Sequence, residues 1–267
     1  MLNFEKYKKI KPQENIPVKK GKRGLIIGAS GDIGFAVLTL LRESDVKIGA
    51  HYFTNKKRLE ALRSKSAKEE SKLKLFQGNI TEKKEAHGVV DSFVQWAGGI
   101  DFLVQLCGDI RRIVDWEELT EEDWIYDLRA NLIGPFFLAQ KAFQYMKKTG
   151  GKIVLTSTAS AAHGGGKKTM AYGAAKASVE CLTKGLAREG AKYNILVNAI
   201  SPGFIDTKMQ VEKMKKSEQE RRKRAELVRL KRAGNVWEVA GVIGFLLSEY
   251  GNFITGEVIS ISGGDWL

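Results

Sequence analysis

Short apolar runs alternate with longer amphipathic stretches along nearly the whole chain. The runs Gly24–Ile27, Val46–Tyr52, Leu73–Gln77, Asp101–Leu106, Ile153–Ser157, Ile195–Ala199 and Glu257–Ile261 have strand length and are rich in Val, Ile and Leu, as expected for strands buried on both faces. Between them lie helical patterns over Ile33–Leu41, Lys56–Glu70, Glu121–Lys148, Tyr172–Glu189 and Val236–Leu247, and a charged, helix-like stretch over residues 208–232. Thr81, followed by Glu-Lys-Lys-Glu, reads as the N-cap of a further helix reaching about Trp96. Seven strands mostly separated by helices predict one α/β domain: a doubly wound parallel sheet with helices on both faces.

Composition narrows this without redirecting it. At 267 residues the chain is long enough for one large core, with the domain over 23–267 and a basic extension over 1–22. No apolar run reaches membrane-spanning length, and no charged-then-apolar leader opens the chain. The net charge of +13 sits in two places. Residues 1–23 hold eight Lys/Arg against two Glu, and residues 208–232 hold eleven against four Glu. The remainder is neutral, which argues against a surface that coats nucleic acid. Cys107 and Cys181 lack metal-ligand spacing and are expected to be small buried hydrophobes in a reducing, cytoplasmic compartment. His51, His87 and His163 are far apart, so no metal site is expected.

The chemistry begins at Tyr172 and Lys176. Tyr-x-x-x-Lys also occurs at Tyr7/Lys11 and Tyr52/Lys56, so the spacing alone says little. The copy at 172 opens a helical stretch just after a strand, which places phenol and ammonium on one helix face. A nearby cation is expected to lower the phenol's pKa and make it a general acid or base. Upstream, the first strand runs into Gly28-Ala-Ser-Gly-Asp-Ile-Gly34 and then a helix. Glycines at such a turn let a pyrophosphate approach the backbone, and the helix N-terminus favours its charge.

These two features, in order with several others, resemble the short-chain dehydrogenase/reductase family over about Arg23–Gly264, most of all its 3-oxoacyl-(acyl carrier protein) reductases. The family's Thr-Gly-x-x-x-Gly-Ile-Gly turn stands here as Ile27-Gly28-Ala29-Ser30-Gly31-Asp32-Ile33-Gly34, with Ile27 for Thr and Asp32 for the middle Gly. An aspartate there repels a pyrophosphate, so its carboxylate is expected to point away. Asn131-Leu-Ile-Gly-Pro-Phe resembles the segment of the active-site asparagine, and an Asn inside a long helix is itself expected to cap or kink it. Asn198-Ala-Ile-Ser-Pro-Gly-Phe-Ile-Asp-Thr207 resembles the segment that closes on the nicotinamide, and Ile254–Gly264 the last strand. The usual Asn-Asn-Ala-Gly after the fourth strand is Gln105-Leu106-Cys107-Gly108. That departure is expected to change a strand-stabilising hydrogen bond and to put Cys107 beside the cofactor.

The resemblance implies a Rossmann-type fold and a catalytic set of Asn131, Thr158, Tyr172 and Lys176. The family's serine usually precedes the tyrosine by thirteen residues, which here is Ala159. Counting from the end of the strand selects Thr158, with Ser157 and Ser160 as competitors. It also implies that Gly28, Ser30, Gly31, Asp32, Ile33, Gly34, Tyr52, Asn55, Asn79, Ile80, Cys107, Gly108, Pro202, Gly203, Ile205 and Thr207, with Tyr172 and Lys176, line the cofactor. Tyr52 occupies the place of the acid that would hold the ribose of NAD, and Lys56-Lys57-Arg58 follows, favouring NADP over NAD. Gly31 in place of a basic residue counts the other way. His163-Gly-Gly-Gly166 suggests a lipase oxyanion loop, but no Gly-x-Ser-x-Gly elbow exists to go with it. Residues 204–232 match the family's variable substrate segment. Its basic part reads either as a solvated face or as a dock for an acidic partner such as an acyl carrier protein, or for an anionic substrate. The expected activity interconverts a ketone and a secondary alcohol, on a small-molecule or carrier-bound substrate, in a homodimer or homotetramer. Sugar, steroid and other alcohol dehydrogenases share these motifs, and a non-catalytic NADP-binding regulator is a further alternative.

Overall fold

The computed structural model describes residues 18–42, 44–62 and 72–265. Seven strands form one all-parallel sheet: β1 Arg23–Ile27, β2 Lys47–Tyr52, β3 Leu73–Gln77, β4 Phe102–Gln105, β5 Gly151–Thr156, β6 Ile195–Pro202 and β7 Val258–Ile261. Their order across the sheet is β3-β2-β1-β4-β5-β6-β7. The chain runs outward from β1 to β3, returns to β4 on the other side of β1, and then proceeds to β7. The crevice where the order reverses, beyond the carboxyl ends of β1 and β4, is where this architecture binds ligands.

Alternate residues of each strand feed two cores, as parallel strands covered on both faces require. Leu25, Ile27, Leu103, Ile153 and Leu155 pack beneath α3 (Lys83–Ala97), α5 (Gly134–Met146) and α6 (Met170–Gly190). Ile26, Val104, Val154 and Ile200 face α1 (Asp32–Arg42) and α9 (Val236–Leu247). Val18, preceding β1, is buried in this second core. The pairing begins at an electrostatic fixture. Asp101, one residue before β4, accepts the backbone N–H of Arg23 at 2.9 Å and its Nε at 2.7 Å, and Lys22 lies 3.3 Å away.

Several sequence expectations are corrected. The helix expected over Glu121–Lys148 is interrupted: α4 (Glu121–Leu128) passes through a π-type turn at Arg129–Ile133 into α5. Thr81 does not cap α3. Its hydroxyl bonds to Asn79 at 2.8 Å, and Glu82 stands at the cap without a side-chain bond. The stretch 208–232 is two short helices, α7 (Lys208–Glu212) and α8 (Glu218–Leu227), because Ser217 and Glu220 form a capping box that starts a new helix. Of the helix expected over Lys56–Glu70, α2 (Lys57–Glu60) is seen, and residues 63–70 lie outside the described residues, as do 1–17 of the extension. Cys181 is exposed on α6 rather than buried, because its helix position faces away from the sheet.

Candidate active site

The glycine turn is built by close approach. Gly28 has φ +78°, and a Cβ there would meet the backbone N and Sγ of Cys107, both at 3.0 Å. At Gly34 a Cβ would lie 2.2 Å from the Gly28 carbonyl, so only glycine lets α1 sit this close to the turn. Gly31 donates to the Gly28 carbonyl at 3.1 Å, and because α1 begins at Asp32 the first-turn N–H groups of Asp32, Ile33 and Gly34 have no intrahelical acceptors. Ser30 and Ile33 are half-buried at the rim. The turn is held from behind by His51, which sequence reasoning left unassigned. Its Nδ1 accepts the Gly28 N–H at 3.3 Å and its Nε2 faces the Gly78 carbonyl at 2.9 Å. This pairing fixes the neutral Nε2–H form, and burial lowers the imidazole pKa, opposed in part by the Gly78 bond.

Asp32 does point away from the turn. One carboxylate oxygen accepts from Arg58 Nη1 at 2.5 Å and the other from the backbone N–H of Lys208 at 2.7 Å. Tyr52 reaches Gln77 at 3.5 Å, and Asn55 accepts the Lys57 N–H in its own turn at 3.1 Å. Asn79 turns its carbonyl oxygen onto Thr81, and Ile80 is buried in the core beneath α3. Gln105 bonds to the Cys107 carbonyl at 2.8 Å across the departure from the family pattern, while its Oε1 is buried without a partner. Cys107 lies against Gly28, and burial pushes its thiol to about 12, so it stays protonated.

Asn131, Tyr172 and Lys176 converge beyond β4 and β5, with Thr158 just past the end of β5. Asn131 sits in the π-type turn, fully buried. Its amide nitrogen donates to the carbonyls of Asp127 at 2.9 Å and Asp109 at 2.7 Å, and its oxygen accepts the Asp109 N–H at 3.2 Å. The widened turn thus lets the side chain return onto a backbone carbonyl four residues earlier, the physical sense of an asparagine inside this helix. Gly108 keeps Asn131 and Lys176 together, since a Cβ there would lie 2.8 Å from Asn131 Oδ1 and 3.1 Å from Lys176 Nζ. Lys176 is buried, donates to the Thr156 carbonyl at 2.9 Å, and stands 5.7 Å from the Tyr172 ring centre.

The expected lowering of the Tyr172 pKa is overturned. Burial holds the phenol above its ordinary value, and the Asp127 charge adds to this. Lys176 does not reverse the shift because burial also lowers its own pKa, to about 8, and its ammonium is aimed at a carbonyl. Ser157, buried, shares its one hydroxyl proton between the Lys176 carbonyl at 3.0 Å and the Glu180 carboxylate at 2.8 Å, which turns it into α6. Thr158 is half-buried, with Oγ1 3.3 Å from Ser160 Oγ and 3.5 Å from the Pro202 carbonyl.

The segment after β6 completes the rim. Gly203 donates to the Ile261 carbonyl at 3.0 Å, Ile205 is buried and bridges to Gly234, and Thr207 precedes α7. Beyond α7, Lys213 pairs with Asp109 at 2.6 Å, and Asp109 also accepts the Tyr126 hydroxyl at 2.6 Å. Neither Asp109 nor Tyr126 has a signal in the sequence, because each gains its meaning only from a partner distant in the chain. Much of the basic charge on α8 is compensated: Arg221 pairs with Asp206, Arg222 with Glu218 and Arg224 with Asp265. Among the described residues no cluster of His, Cys, Asp or Glu is arranged to hold a metal, and no helix is long and apolar enough to cross a membrane.

A crowded glycine turn at the end of β1, first-turn donors on α1 and a Tyr–Lys pair beyond β5 fit a nicotinamide dinucleotide laid across the crevice. Comparisons with known proteins agree. A family described as enoyl-(acyl carrier protein) reductase matches residues 28–265. The 3-oxoacyl-(acyl carrier protein) reductase FabG of Thermotoga maritima is 37% identical over 246 residues, covering 92% of this chain and 98% of the relative. Nodulation protein G of Rhizobium meliloti is 30% identical, covering 91% and 96%. A short-chain dehydrogenase/reductase structure from Brucella melitensis, described as a glucose/ribitol dehydrogenase, superimposes with a TM-score of 0.83 at 28% identity, covering 94% of this chain and 98% of that one. ElxO with NADP bound superimposes with a TM-score of 0.81 at 29% identity, covering 91% and 98%. With the reversal crevice, the glycine turn and the tyrosine–lysine helix in one chain, this protein belongs to the short-chain dehydrogenase/reductase family and is an NAD(P)-dependent oxidoreductase.

Proposed function

We propose that the protein is an NADP-dependent reductase of 3-oxoacyl thioesters, presented on an acyl carrier protein, that forms the secondary alcohol. The observation that carries this reading is the meeting of Asn131 and Lys176 at Gly108, with the Tyr172 ring 5.7 Å from the Lys176 ammonium, in a chain 37% identical to a FabG along almost its whole length. A bound reduced nicotinamide supplies the hydride for the carbonyl carbon. Tyr172, kept protonated by burial, donates its proton to the carbonyl oxygen. Thr158 donates a second hydrogen bond to that oxygen, a role for which Ser157 is unsuited because its hydroxyl is engaged with α6. Lys176 holds a positive charge near the phenol and reaches the nicotinamide ribose, and Asn131, beside it, orders the path by which Tyr172 regains a proton.

Gly28, Ser30, Gly31, Ile33 and Gly34 would hold the pyrophosphate, and Asp32 would act at one remove through Arg58. Tyr52, Asn55, Asn79 and Ile80 would flank the adenosine, and Cys107, Gly108, Pro202, Gly203, Ile205 and Thr207 the nicotinamide half. NADP is favoured because no acid stands at Tyr52 while Arg58 lies at the α1 terminus. Basic α8 supports docking of an acidic carrier protein, though its compensated arginines leave less free charge than the sequence implies. Exposed Phe245 on α9 and Phe253 in the turn before β7 support a homo-oligomer.

One observation favours a second reading. Asp109, Tyr126 and Lys213 make the rim beside Asn131 polar, which suits a hydroxylated substrate such as a polyol or sugar. Nicotinamide absorbance followed with NADPH and NADH against a 3-oxoacyl thioester, a polyol and a simple ketone decides between them. NADPH-dependent turnover of the thioester, lost in Tyr172→Phe, is expected. Preferential polyol oxidation would select the second reading, and tight cofactor binding without turnover would make the protein a regulator.

A further inference from the structure

The carboxylate that replaces a glycine at the turn connects two parts of the molecule that are remote in sequence. Asp32 is the first residue of α1, and its side chain is 17% exposed. On one side it holds Arg58, whose guanidinium also lies over the Phe35 ring, 3.9 Å from its centre. On the other side it accepts the N–H of Lys208, the first residue of α7. Asp32, Arg58, Lys208 and Arg221 line a shared cleft of about 340 Å³. The far end of the same segment is tied down where Lys213 meets Asp109.

A negative charge beside a pyrophosphate site is unfavourable unless something compensates it. Arg58 does so, and its Phe35 stacking leaves the guanidinium preorganised. Only Nη1 is committed to Asp32, so the other N–H groups of the fork are available to a second anion. We propose that Asp32 couples recognition of the phosphate on the adenosine ribose to the anchoring of residues 207–213 beside the candidate site. The proposal rests on the NADP reading above. A phosphate that draws on Arg58 weakens the countercharge of Asp32. The carboxylate then leans on its remaining donor, the Lys208 N–H, and that charge-assisted bond tightens. The segment is thereby fixed at its start as well as at Lys213, and a cofactor without the phosphate does not produce this effect.

Hydrogen exchange of the full-length protein tests the coupling, with 2′,5′-ADP and 5′-ADP as probes at matched saturation and their affinities measured by calorimetry. The 2′-phosphorylated probe is expected to slow exchange over residues 208–213 by about threefold or more relative to 5′-ADP. Asp32→Asn should abolish that difference. Lys208→Pro provides an independent variant: proline is well tolerated at the first helical position, after an extended Thr207, and removes the backbone donor together with the lysine's charge, for which Lys208→Ala is the control. The proline variant should keep the affinity preference for 2′,5′-ADP while losing the exchange response. Equal affinities for the two probes would remove the NADP reading and the coupling together. A clear preference for 2′,5′-ADP with unchanged exchange over 208–213, or an undiminished response in Asp32→Asn or Lys208→Pro, would overturn the coupling alone.

Discussion

Tyr172 and Lys176 show how far burial changes the meaning of a pair of side chains. The spacing places them on one helix face, but the interior sets their proton affinities: the phenol upward, the ammonium down to about 8. Tyr172 is therefore the group that retains its proton at neutral pH, while Lys176 is near its own midpoint. Tyr172→Phe is expected to lower kcat by about 10²- to 10⁴-fold, with cofactor affinity, read by NADPH fluorescence, nearly unchanged. Reduction should weaken as pH rises through about 8, because Lys176 then loses its charge while Tyr172 remains protonated. In a kcat–pH profile the falling limb should move upward in Lys176→Arg, whose guanidinium stays charged. The pair was legible in the sequence, but its electrostatics were not, since desolvation depends on what surrounds a residue. Counting from the strand end is what singles out Thr158 in the sequence. The bonds that turn Ser157 into α6 distinguish the two hydroxyls, and they involve residues 19 and 23 positions away.

Among the elements, the strands were the most legible, because runs buried on both faces leave a plain apolar signature. The interruption between α4 and α5 was not, since a π-type turn adds one residue to a helix without a breaker such as proline at its centre. Asn131 was the one clue, and its three bonds give the turn its stability. Asn131→Leu is expected to destabilise the fold by about 2–5 kcal/mol, because it leaves the buried Asp127 carbonyl and the part-buried Asp109 carbonyl without this donor. Urea unfolding would measure it. The charged stretch after β6 was misjudged as a single helical unit for a related reason: high charge obscures the capping box at Ser217 that divides it.

Across the whole molecule, contacts that cross the sheet were invisible to local patterns. His51 of β2, holding the turn after β1, is the clearest case. Its folded pKa lies below the unfolded value of about 6.5, so the unfolded chain binds the extra proton first. Stability is therefore full above about pH 6.5 and declines as pH falls below it, toward the depressed folded value. Thermal unfolding from pH 8 to 5 should show this decline, and it should be smaller in His51→Gln. The strand order has a consequence for synthesis. From β5 onward each strand pairs with the one made just before it, and β7 is placed last, at the edge. The sheet can therefore grow in the direction in which the ribosome delivers the chain. A nascent chain halted before β7 would display the unpaired backbone of β6, a strand whose residues are nearly all buried in the finished protein. Translation pauses between β6 and β7 therefore leave an apolar strand edge open to aggregation.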